Sequence, residues 1–446
     1  MKPIKLTINA KAYDCYIYGG YVFFVLRDGR IMFCSYPKLI SRLQHKYNEF
    51  SGMIKIAFLR NEYFHSDVAK TFLKVPSLKD CLIHDWSRLS SQKNLTLDFN
   101  EIEDILAPLC TLPSTPLDIK IYGMRLFVGC MNGMYEVRLC PDRYNLNPQK
   151  IERCFDGKVI HLNAKYGEVV LSLGMDGMAS ESIDVEGDAI TKIRDNKVYE
   201  EHSNRTSWAD TDIMNYRSPS EFSYFHNETM VRKRAGQKKF WEKYETKKIT
   251  SFGSRQYSMD DLISKSDLKK DDILFSFNSQ EKSFIQLRDG SIVSYKFKGE
   301  EENSGEEVNP HFSPKRMTVS GLDSTRVFGR ALSGVTIPKG CAVEFFDKVV
   351  LFQNSTMQII EDEQVMKVRS FMNTYRFQDI LSVTKMDSIV LNALDTLNIQ
   401  GDVKISRRRY SSGDQVDKYD DIDPKFLSQI ATQKDGAVID EKELPW

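Results

Sequence analysis

DCYIYGGYVFFVLRDGRIMFCSY, residues 14–36, consists of three apolar runs separated by two glycine-containing turns. The first turn falls at Gly19-Gly20 and the second at Asp28-Gly29. An Asp-Gly pair between apolar runs is typical of a two-residue β-hairpin, in which both central residues need a positive φ. The stretch therefore predicts three short antiparallel strands.

The same pattern recurs twice further along the chain. In each copy a Tyr-Gly pair precedes an Asp-Gly or Asn-Gly pair by ten positions: Tyr18 and Asp28, Tyr122 and Asn132, Tyr166 and Asp176. Three copies with one internal spacing indicate a repeated β unit. The third copy is the most complete, with strands predicted at 159–162, 169–173, 178–183 and 189–193. Four antiparallel strands in about 40 residues form a unit of the size of a β-propeller blade.

Later segments extend the pattern without the Tyr-Gly signature. Strand patterns predict a fourth unit within 207–226, a fifth within 273–297, a sixth within 342–368 and a seventh within 380–399. In the fifth unit, Leu287–Ile292 closely repeats Leu26–Ile31. We therefore predict an all-β fold, a single β-propeller of seven blades with four antiparallel strands each. Six and eight blades remain alternatives, because several units lack the signature.

At the N-terminus, Ile4–Ile8 alternates apolar and polar residues, as a half-buried strand does. In closed propellers a terminal strand often completes a blade that begins at the other end of the chain, which removes an exposed sheet edge. We expect this strand to pair with a strand formed after residue 370.

Between residues 47 and 114 the hydrophobic period changes. The segments 66–74 and 77–89 place apolar residues three and four apart, and each begins with a serine suited to cap a helix. This predicts a small α-helical insertion after the first blade. The predicted organisation is therefore a first blade with the closing strand (1–46), the helical insertion (47–114), the remaining blades (115–405) and a charged C-terminal tail (406–446).

In its hairpins and Tyr-Gly turns the chain resembles the β-propeller superfamily in its broad WD-repeat-like form. The residues that carry the resemblance are Asp28-Gly29, Asn132-Gly133, Asp176-Gly177 and Asp289-Gly290. The units have no Gly-His and no closing Trp-Asp pair. The resemblance implies a rigid scaffold whose loops bind other macromolecules, and it implies no particular partner or active site.

Composition narrows the class of protein. The formal net charge is zero, which argues against a protein that coats polyanions along its whole surface. The eight cysteines include no Cys-x-x-Cys pair, and no apolar run is long enough to span a bilayer. We expect a soluble intracellular protein, cytoplasmic or nuclear, with reduced cysteines and with no cofactor, metal or small-molecule ligand.

Two clusters are candidate interaction sites. Residues 232–248 hold eight basic and two acidic residues interleaved with three aromatic ones, and the tail begins with a run of three arginines. The candidate residues are Arg232, Lys233, Arg234, Lys238, Lys239, Trp241, Lys243, Arg407, Arg408 and Arg409. Lysine and arginine can neutralise phosphates while aromatic rings stack on unpaired bases, so the first cluster suits single-stranded nucleic acid. The interpretation that we favour for it is a solvated segment whose aromatic side chains pack on the neighbouring blade, and docking of an acidic protein is a further alternative.

Enzyme signatures are absent from the sequence: it has no phosphate-binding glycine loop and no Gly-x-Ser-x-Gly elbow. The main hypothesis is therefore a non-enzymatic interaction scaffold, a subunit of a larger protein complex, with the insertion and the tail as docking elements. The alternatives are a nucleic-acid-binding propeller that uses residues 232–248 and, third, a propeller enzyme with its site in the central channel.

Overall fold

A computed structural model describes most of the chain. The described residues are 1–63, 74–92, 94–139, 150–165, 167–183, 191, 199–209, 212–227, 252–264, 266, 268–279, 282–298, 311–315, 329–353, 356–372, 374 and 377–395.

The described residues form 28 strands and a few helices. The strands of the first half are β1 (Ile4–Asn9), β2 (Ala12–Tyr18), β3 (Tyr21–Leu26), β4 (Arg30–Ser35), β5 (Leu95–Asp98), β6 (Ala107–Thr111), β7 (Pro116–Tyr122), β8 (Arg125–Cys130), β9 (Gly133–Arg138), β10 (Ile151–Phe155), β11 (His161–Lys165), β12 (Glu168–Ser172), β13 (Met178–Ser182) and β14 (Arg205–Ala209). Those of the second half are β15 (Asp212–Ser218), β16 (Glu221–Asn227), β17 (Phe252–Tyr257), β18 (Ile273–Ser279), β19 (Lys282–Leu287), β20 (Ile292–Lys298), β21 (His311–Lys315), β22 (Ser333–Ile337), β23 (Gly340–Glu344), β24 (Val349–Gln353), β25 (Thr356–Glu361), β26 (Lys367–Ser370), β27 (Ile380–Thr384) and β28 (Ile389–Ala393). The helices are α1 (Tyr36–Lys46), α2 (Ser51–Tyr63), α3 (Pro76–Gln92) and α4 (Met259–Ile263), with short 3-10 helices at Asn48–Phe50, Phe99–Ile105 and Lys270–Asp272.

Seven sheets form the seven blades of a propeller, as the sequence predicts, and their strands pair antiparallel except for β1 with β5. In order they are β2-β3-β4-β6, β7-β8-β9-β10, β11-β12-β13, β14-β15-β16-β17, β18-β19-β20-β21, β22-β23-β24-β25 and β26-β27-β28-β1-β5. In the third blade, Met178 pairs with Tyr199 where a fourth strand would lie. The fourth strand predicted at 189–193 falls almost entirely outside the described residues.

Ring closure uses two strands from outside the seventh repeat. β1 pairs antiparallel with β28, with Leu6 opposite Leu391, which confirms the predicted closing strand. On its other edge β1 pairs in parallel with β5, with Leu6 opposite Leu95. The seventh blade therefore has five strands, and β5 covers the edge that β1 would otherwise expose.

The helical segment is built into this closure. α1 buries Tyr36, Leu39, Ile40 and Leu43, a spacing that places all four side chains on one face of a helix. They share a core with β1 and with Trp86 of α3, whose indole N–H donates to the carbonyl of Lys2 over 2.7 Å. The chain then returns through β6, which pairs with β4, so the insertion precedes the fourth strand of the first blade. The predicted segment 66–74 lies almost wholly outside the described residues.

The Asp-Gly turns differ from the hairpin expectation that both central residues have a positive φ. Gly29, Gly177 and Gly290 have φ values between +82° and +92°, whereas no Asp among the described residues has a positive φ. The Asp28-Gly29 turn therefore requires a positive φ only at its glycine, and the Asp28 carboxylate accepts a hydrogen bond from the N–H of Arg30 at 3.0 Å. The two-residue turn with two positive φ values is Gly19-Gly20 instead, at +56° and +82°.

The sixth and seventh units are displaced by one strand from the sequence prediction. The innermost strand of the sixth blade is β22, which the prediction missed, and residues 365–368, assigned to the sixth unit, lead into β26 of the seventh blade. The reason is visible at Gly334 of β22. A Cβ atom there would lie 2.4 Å from the ring of Phe277 in the fifth blade, so the close packing requires glycine. A glycine within a strand interrupts the apolar pattern by which the strand would be recognised in the sequence.

Candidate functional site

Seven innermost strands line a central channel. They are β2, β7, β11, β14, β18, β22 and β26, and each contacts the innermost strand of the next blade around the ring. Their N-terminal ends lie at one mouth of the channel and their C-terminal ends at the other. We refer to these mouths as the N-terminal opening, marked by Asp14, Asp118 and Lys367, and the C-terminal opening, marked by Tyr18, Lys165 and Asn278.

An ion-pair network joins three blades beside the N-terminal opening. Arg369 of β26 donates through Nε to both carboxylate oxygens of Asp14, at 2.7 and 2.9 Å, and through Nη2 to Asp118 at 3.2 Å. Lys367 donates to the same oxygen of Asp118 at 2.9 Å. Arg369 also lies 5.0 Å from the ring centre of Tyr16, and it donates to the carbonyl of Ile119. The network therefore fixes blades one and two against blade seven, at the point where the ring closes.

His161, at the start of β11, extends this network to the third blade. Its Nε2 lies 3.6 Å from Asp118, and its Nδ1 accepts a hydrogen bond from the N–H of Thr206 at 3.4 Å. Burial, together with the positive charges of Lys367, Arg205 and Arg369, lowers the pKa of His161 to about 4 against the opposing attraction of Asp118. Burial by itself would raise the pKa of Asp118, but Lys367 and the other neighbouring cations hold it well below its usual range.

The charged groups of this network already bind one another. A carboxylate whose pKa is far below neutrality, with a lysine and an arginine bound to it, is a poor general base at pH 7. His161 has a contact at each ring nitrogen. Burial raises the pKa of the Cys15 and Cys34 thiols, which lie in the hydrophobic core, and so disfavours their reactive thiolate form. The network therefore has the chemistry of a structural clamp.

A ring of turns surrounds the N-terminal opening. These turns join the second and third strands of each blade, and four of them present a large apolar side chain to solvent. The exposed fractions are 58% for Met131, 80% for Met175, 69% for Phe346 and 57% for Met386. The four residues occupy the same position, immediately before Asn132, Asp176, Asp347 and Asp387. Arg27 and Arg288 stand at this position in the first and fifth blades.

The exposed side chains of neighbouring blades are connected. Arg27 of the first blade places Nη2 3.1 Å from the sulfur of Met386 in the seventh blade and 3.0 Å from that of Met366. Blades six, seven, one, two and three are consecutive around the ring, so four of five consecutive turns carry an exposed apolar side chain. We call this set, Met131, Met175, Phe346 and Met386, the apolar turn surface.

The C-terminal opening holds a cavity of about 180 Å³. Its wall comes from the C-terminal ends of the innermost strands of blades one to five and from the chain after β26. The charged side chains that line it are Lys120 and Lys165, and the aromatic ones are Tyr16, Tyr18, Trp208 and Phe371. The cavity thus differs in chemistry from the opposite mouth, where buried carboxylates face cations.

The site residues predicted from sequence cannot be compared with this geometry. Residues 232–243 and 407–409 lie outside the described residues. The structure describes the strands that flank the first cluster, β16 before it and β17 after it, which pair with each other in the fourth blade. The proposed roles of these residues remain predictions.

Sequence reasoning missed the channel and turn residues, although the repeat contained a signal for both. Asp14 and Asp118 each lie four positions before the tyrosine of a Tyr-Gly pair, so the repeat places both at the same point of the channel wall. Met131 and Met175 likewise precede an Asn-Gly or Asp-Gly pair. The partner residues Lys367 and Arg369 carry no such signal, because they come from a blade without the signature.

Within the described part of the chain, no group of three or more histidine, cysteine, aspartate or glutamate side chains is arranged to hold a metal ion. The seven cysteines that it includes are all free thiols. Among its helices, none combines the length and the hydropathy needed to cross a membrane.

Comparisons with known proteins find similarity to solved structures alone. No protein-family model matches the sequence, and no curated protein matches it. Among solved structures, the computationally designed protein Ika8 aligns with 7% identity and a TM-score of 0.42, over 88% of this chain and all of that one. The WD40 β-propeller domain of Doa1 aligns with 8% identity and a TM-score of 0.37, over 88% and 92% of the chains. The N-terminal domain of Nup159 aligns with 10% identity and a TM-score of 0.37, over 86% and 89%. The assignment as a seven-bladed propeller rests on the strand pairing of the chain itself.

Proposed function

We propose that this protein is a non-enzymatic interaction scaffold and that a protein partner docks on the apolar turn surface. The observation that supports the proposal is the repeated exposure of Met131, Met175, Phe346 and Met386 at one position of four blades. Single exposed apolar residues are ordinary, but a repeated set on one side of a rigid ring is typical of an interaction surface.

Energetics favour occupation of this surface. Transfer of four such side chains from water into an interface contributes on the order of 5 kcal/mol, before the entropic cost of association. Methionine is well suited to this role because its unbranched, polarizable side chain adapts to the shape of a partner. The strands that these turns connect are buried and hydrogen-bonded to neighbouring strands, so the surface is preorganised for a partner.

The channel network supports the non-enzymatic part of the proposal. The carboxylates of Asp14 and Asp118 are bound by Arg369 and Lys367 and hold the blades together. An enzyme with its site in the channel would need a reactive group at this place instead. The helical insertion also contributes to closure through β5 and Trp86. We retain the proposal that its outer surface and the tail 406–446 take part in docking.

Quantitative affinity purification from cells tests the proposal. The wild type is compared with a fourfold variant, Met131→Gln, Met175→Gln, Phe346→Gln and Met386→Gln. The control is Ile359→Gln, an exposed apolar residue on strand β25, outside both proposed docking elements. We expect one set of proteins to be recovered with the wild type and the control and to be lost with the fourfold variant, while the thermal unfolding of all three is similar. Equal recovery with the fourfold variant, or elution of the wild type as a bare monomer, would contradict the proposal.

A further inference from the structure

Arg27, in the turn between β3 and β4, places a cation within the apolar turn surface. Around the ring, this turn lies between that of blade seven, which exposes Met386, and that of blade two, which exposes Met131. The half-buried guanidinium contacts the sulfurs of Met366 and Met386 through Nη2, at 3.0 and 3.1 Å. Its Nε is buried and has no hydrogen-bond partner among the described residues. A thioether is a weak acceptor, so the described chain satisfies few of the five donors of this group.

The acidic side chains of the neighbouring turns do not neutralise this guanidinium. Asp28 accepts hydrogen bonds from the backbone N–H and the Nε of Arg30, at 3.0 and 2.8 Å. Glu363 accepts a hydrogen bond from Lys385 at 2.6 Å. Asp387 is exposed, and within the described chain no ion pair joins it to the guanidinium. The surface therefore combines exposed apolar side chains with one positive charge that is left for a partner.

A guanidinium in these surroundings favours a carboxylate as its ligand. Its planar fork matches the two oxygens of a carboxylate, and hydrogen bonds between two charged groups are about twice as strong as neutral ones. Apolar side chains on both sides exclude water once a partner covers them, which strengthens the attraction. One arginine also matches the single charge of a carboxylate, whereas phosphorylated segments are generally recognised by clusters of arginines.

We propose that the partner segment which docks on the apolar turn surface carries an aspartate or glutamate flanked by apolar residues, and that its carboxylate pairs with Arg27. The flanking apolar residues cover Met386 on one side of Arg27 and Met131 on the other. The assignment rests on the proposed function for the location of the surface, and it adds the chemistry of the segment that binds there.

Fluorescence anisotropy with the purified full chain tests the need for a carboxylate. The probes are two dye-labelled nonapeptides, Ser-Gly-Leu-Leu-Glu-Leu-Leu-Gly-Ser and its counterpart with Gln in place of Glu. We expect the wild type to bind the Glu peptide about tenfold more tightly than the Gln peptide, because only the carboxylate forms a charged pair. Equal affinities for the two peptides, or no measurable binding of either, would overturn the proposal.

Substitution of Arg27 locates the pair. Arg27→Met introduces the residue that blades two, three and seven carry at this position, so it removes the charge and keeps the surface apolar. The two peptides should bind this variant with equal affinity. Arg27→Lys keeps the charge without the planar fork and should retain a preference of about threefold for the Glu peptide.

Arg288→Met is the matched control, because it makes the same change at the same position of the fifth blade. There the Nε of Arg288 already donates to the carbonyl of Asp271. This control should prefer the Glu peptide as strongly as the wild type does. A full preference for the Glu peptide in Arg27→Met, or an equal loss of preference in Arg288→Met, would overturn the assignment.

The fourfold variant of the apolar turn surface separates this proposal from the proposed function. It should weaken the binding of both peptides to a similar degree, because it removes the apolar contacts that they share. Equal wild-type affinities for the two peptides, both weakened in the fourfold variant, would reject the carboxylate alone. Undiminished binding of the Glu peptide by the fourfold variant would instead reject the apolar turn surface.

Discussion

Arg369, in the innermost strand of the last blade, holds both carboxylate oxygens of Asp14, in the innermost strand of the first, at 2.7 and 2.9 Å. The two residues are 355 positions apart in the chain. A bidentate pair of arginine and carboxylate has fixed geometry as well as attraction, so it specifies how the last blade meets the first. Backbone closure through β1 and side-chain closure through Arg369 therefore act at the same junction.

Arg369→Met should destabilise the protein by about 3–5 kcal/mol, because it leaves the carboxylate of Asp14 buried without its cation. Urea unfolding measures the loss. In the double variant Arg369→Met with Asp14→Leu, no unpaired charge remains at this pair, and we expect most of the stability to return. A double variant as unstable as the sum of the two single variants would show that the pair does not act as a unit.

Protonation of His161 should destabilise the folded protein. Its pKa is about 4 in the folded state and about 6.5 when unfolded, so between these values the unfolded chain binds the additional proton. Stability should therefore fall as the pH decreases from about 6.5 to about 4, with a contribution of at most about 1.4 kcal/mol per pH unit from this group. The cause is burial, together with the positive charges of Lys367 and Arg205.

Urea unfolding of the wild type and of His161→Gln between pH 4 and 7.5 checks this expectation. The variant should show a shallower fall in stability across the window. His84→Gln, on the exposed side of helix α3, is the matched control and should follow the wild type. Parallel curves for the wild type and His161→Gln would contradict the assignment.

Leu6→Ala should cost about 2–5 kcal/mol, because Leu6 is fully buried between β28 and β5 in the closing blade. Its neighbour Thr7 is less buried on the same strand, so Thr7→Ala is the control and should cost far less. Chemical unfolding of both variants provides the comparison. Equal costs would mean that β1 closes the ring through its backbone alone.

The nucleic-acid alternative has its own test. If residues 232–248 bind single-stranded nucleic acid, the affinity for a labelled oligonucleotide should fall steeply with salt, because phosphate contacts release counterions. Charge reversal at Lys238, Lys239 and Lys243 should then abolish binding. Unchanged binding in that variant would reject this role for the segment, and charge reversal at three exposed lysines elsewhere, Lys11, Lys150 and Lys158, controls for total charge.

The sequence alone determined the fold to the level of a closed ring of β blades. Turns recur at Gly19, Gly123 and Gly167 because the chain must reverse its direction in each blade. Glycine adopts the backbone conformation of such a turn most readily, so the turns can be recognised in the sequence. The alternation of Ile4, Leu6 and Ile8 likewise revealed a strand with one buried face. A strand without such regularity, such as β22 with its packed Gly334, escaped the same reasoning.

Only the tertiary structure decided which residues meet. Nothing in the sequence around Lys367 and Arg369 indicates that they pair with Asp14 and Asp118. Ion pairing depends on distance in space, and no fixed spacing in the sequence separates these partners. The same holds for β5, a strand within the insertion that joins the closing blade, and for the lysines that share the cavity at the C-terminal opening. Local patterns specify strands and turns, whereas the closing of the ring decides which charged side chains lie next to one another.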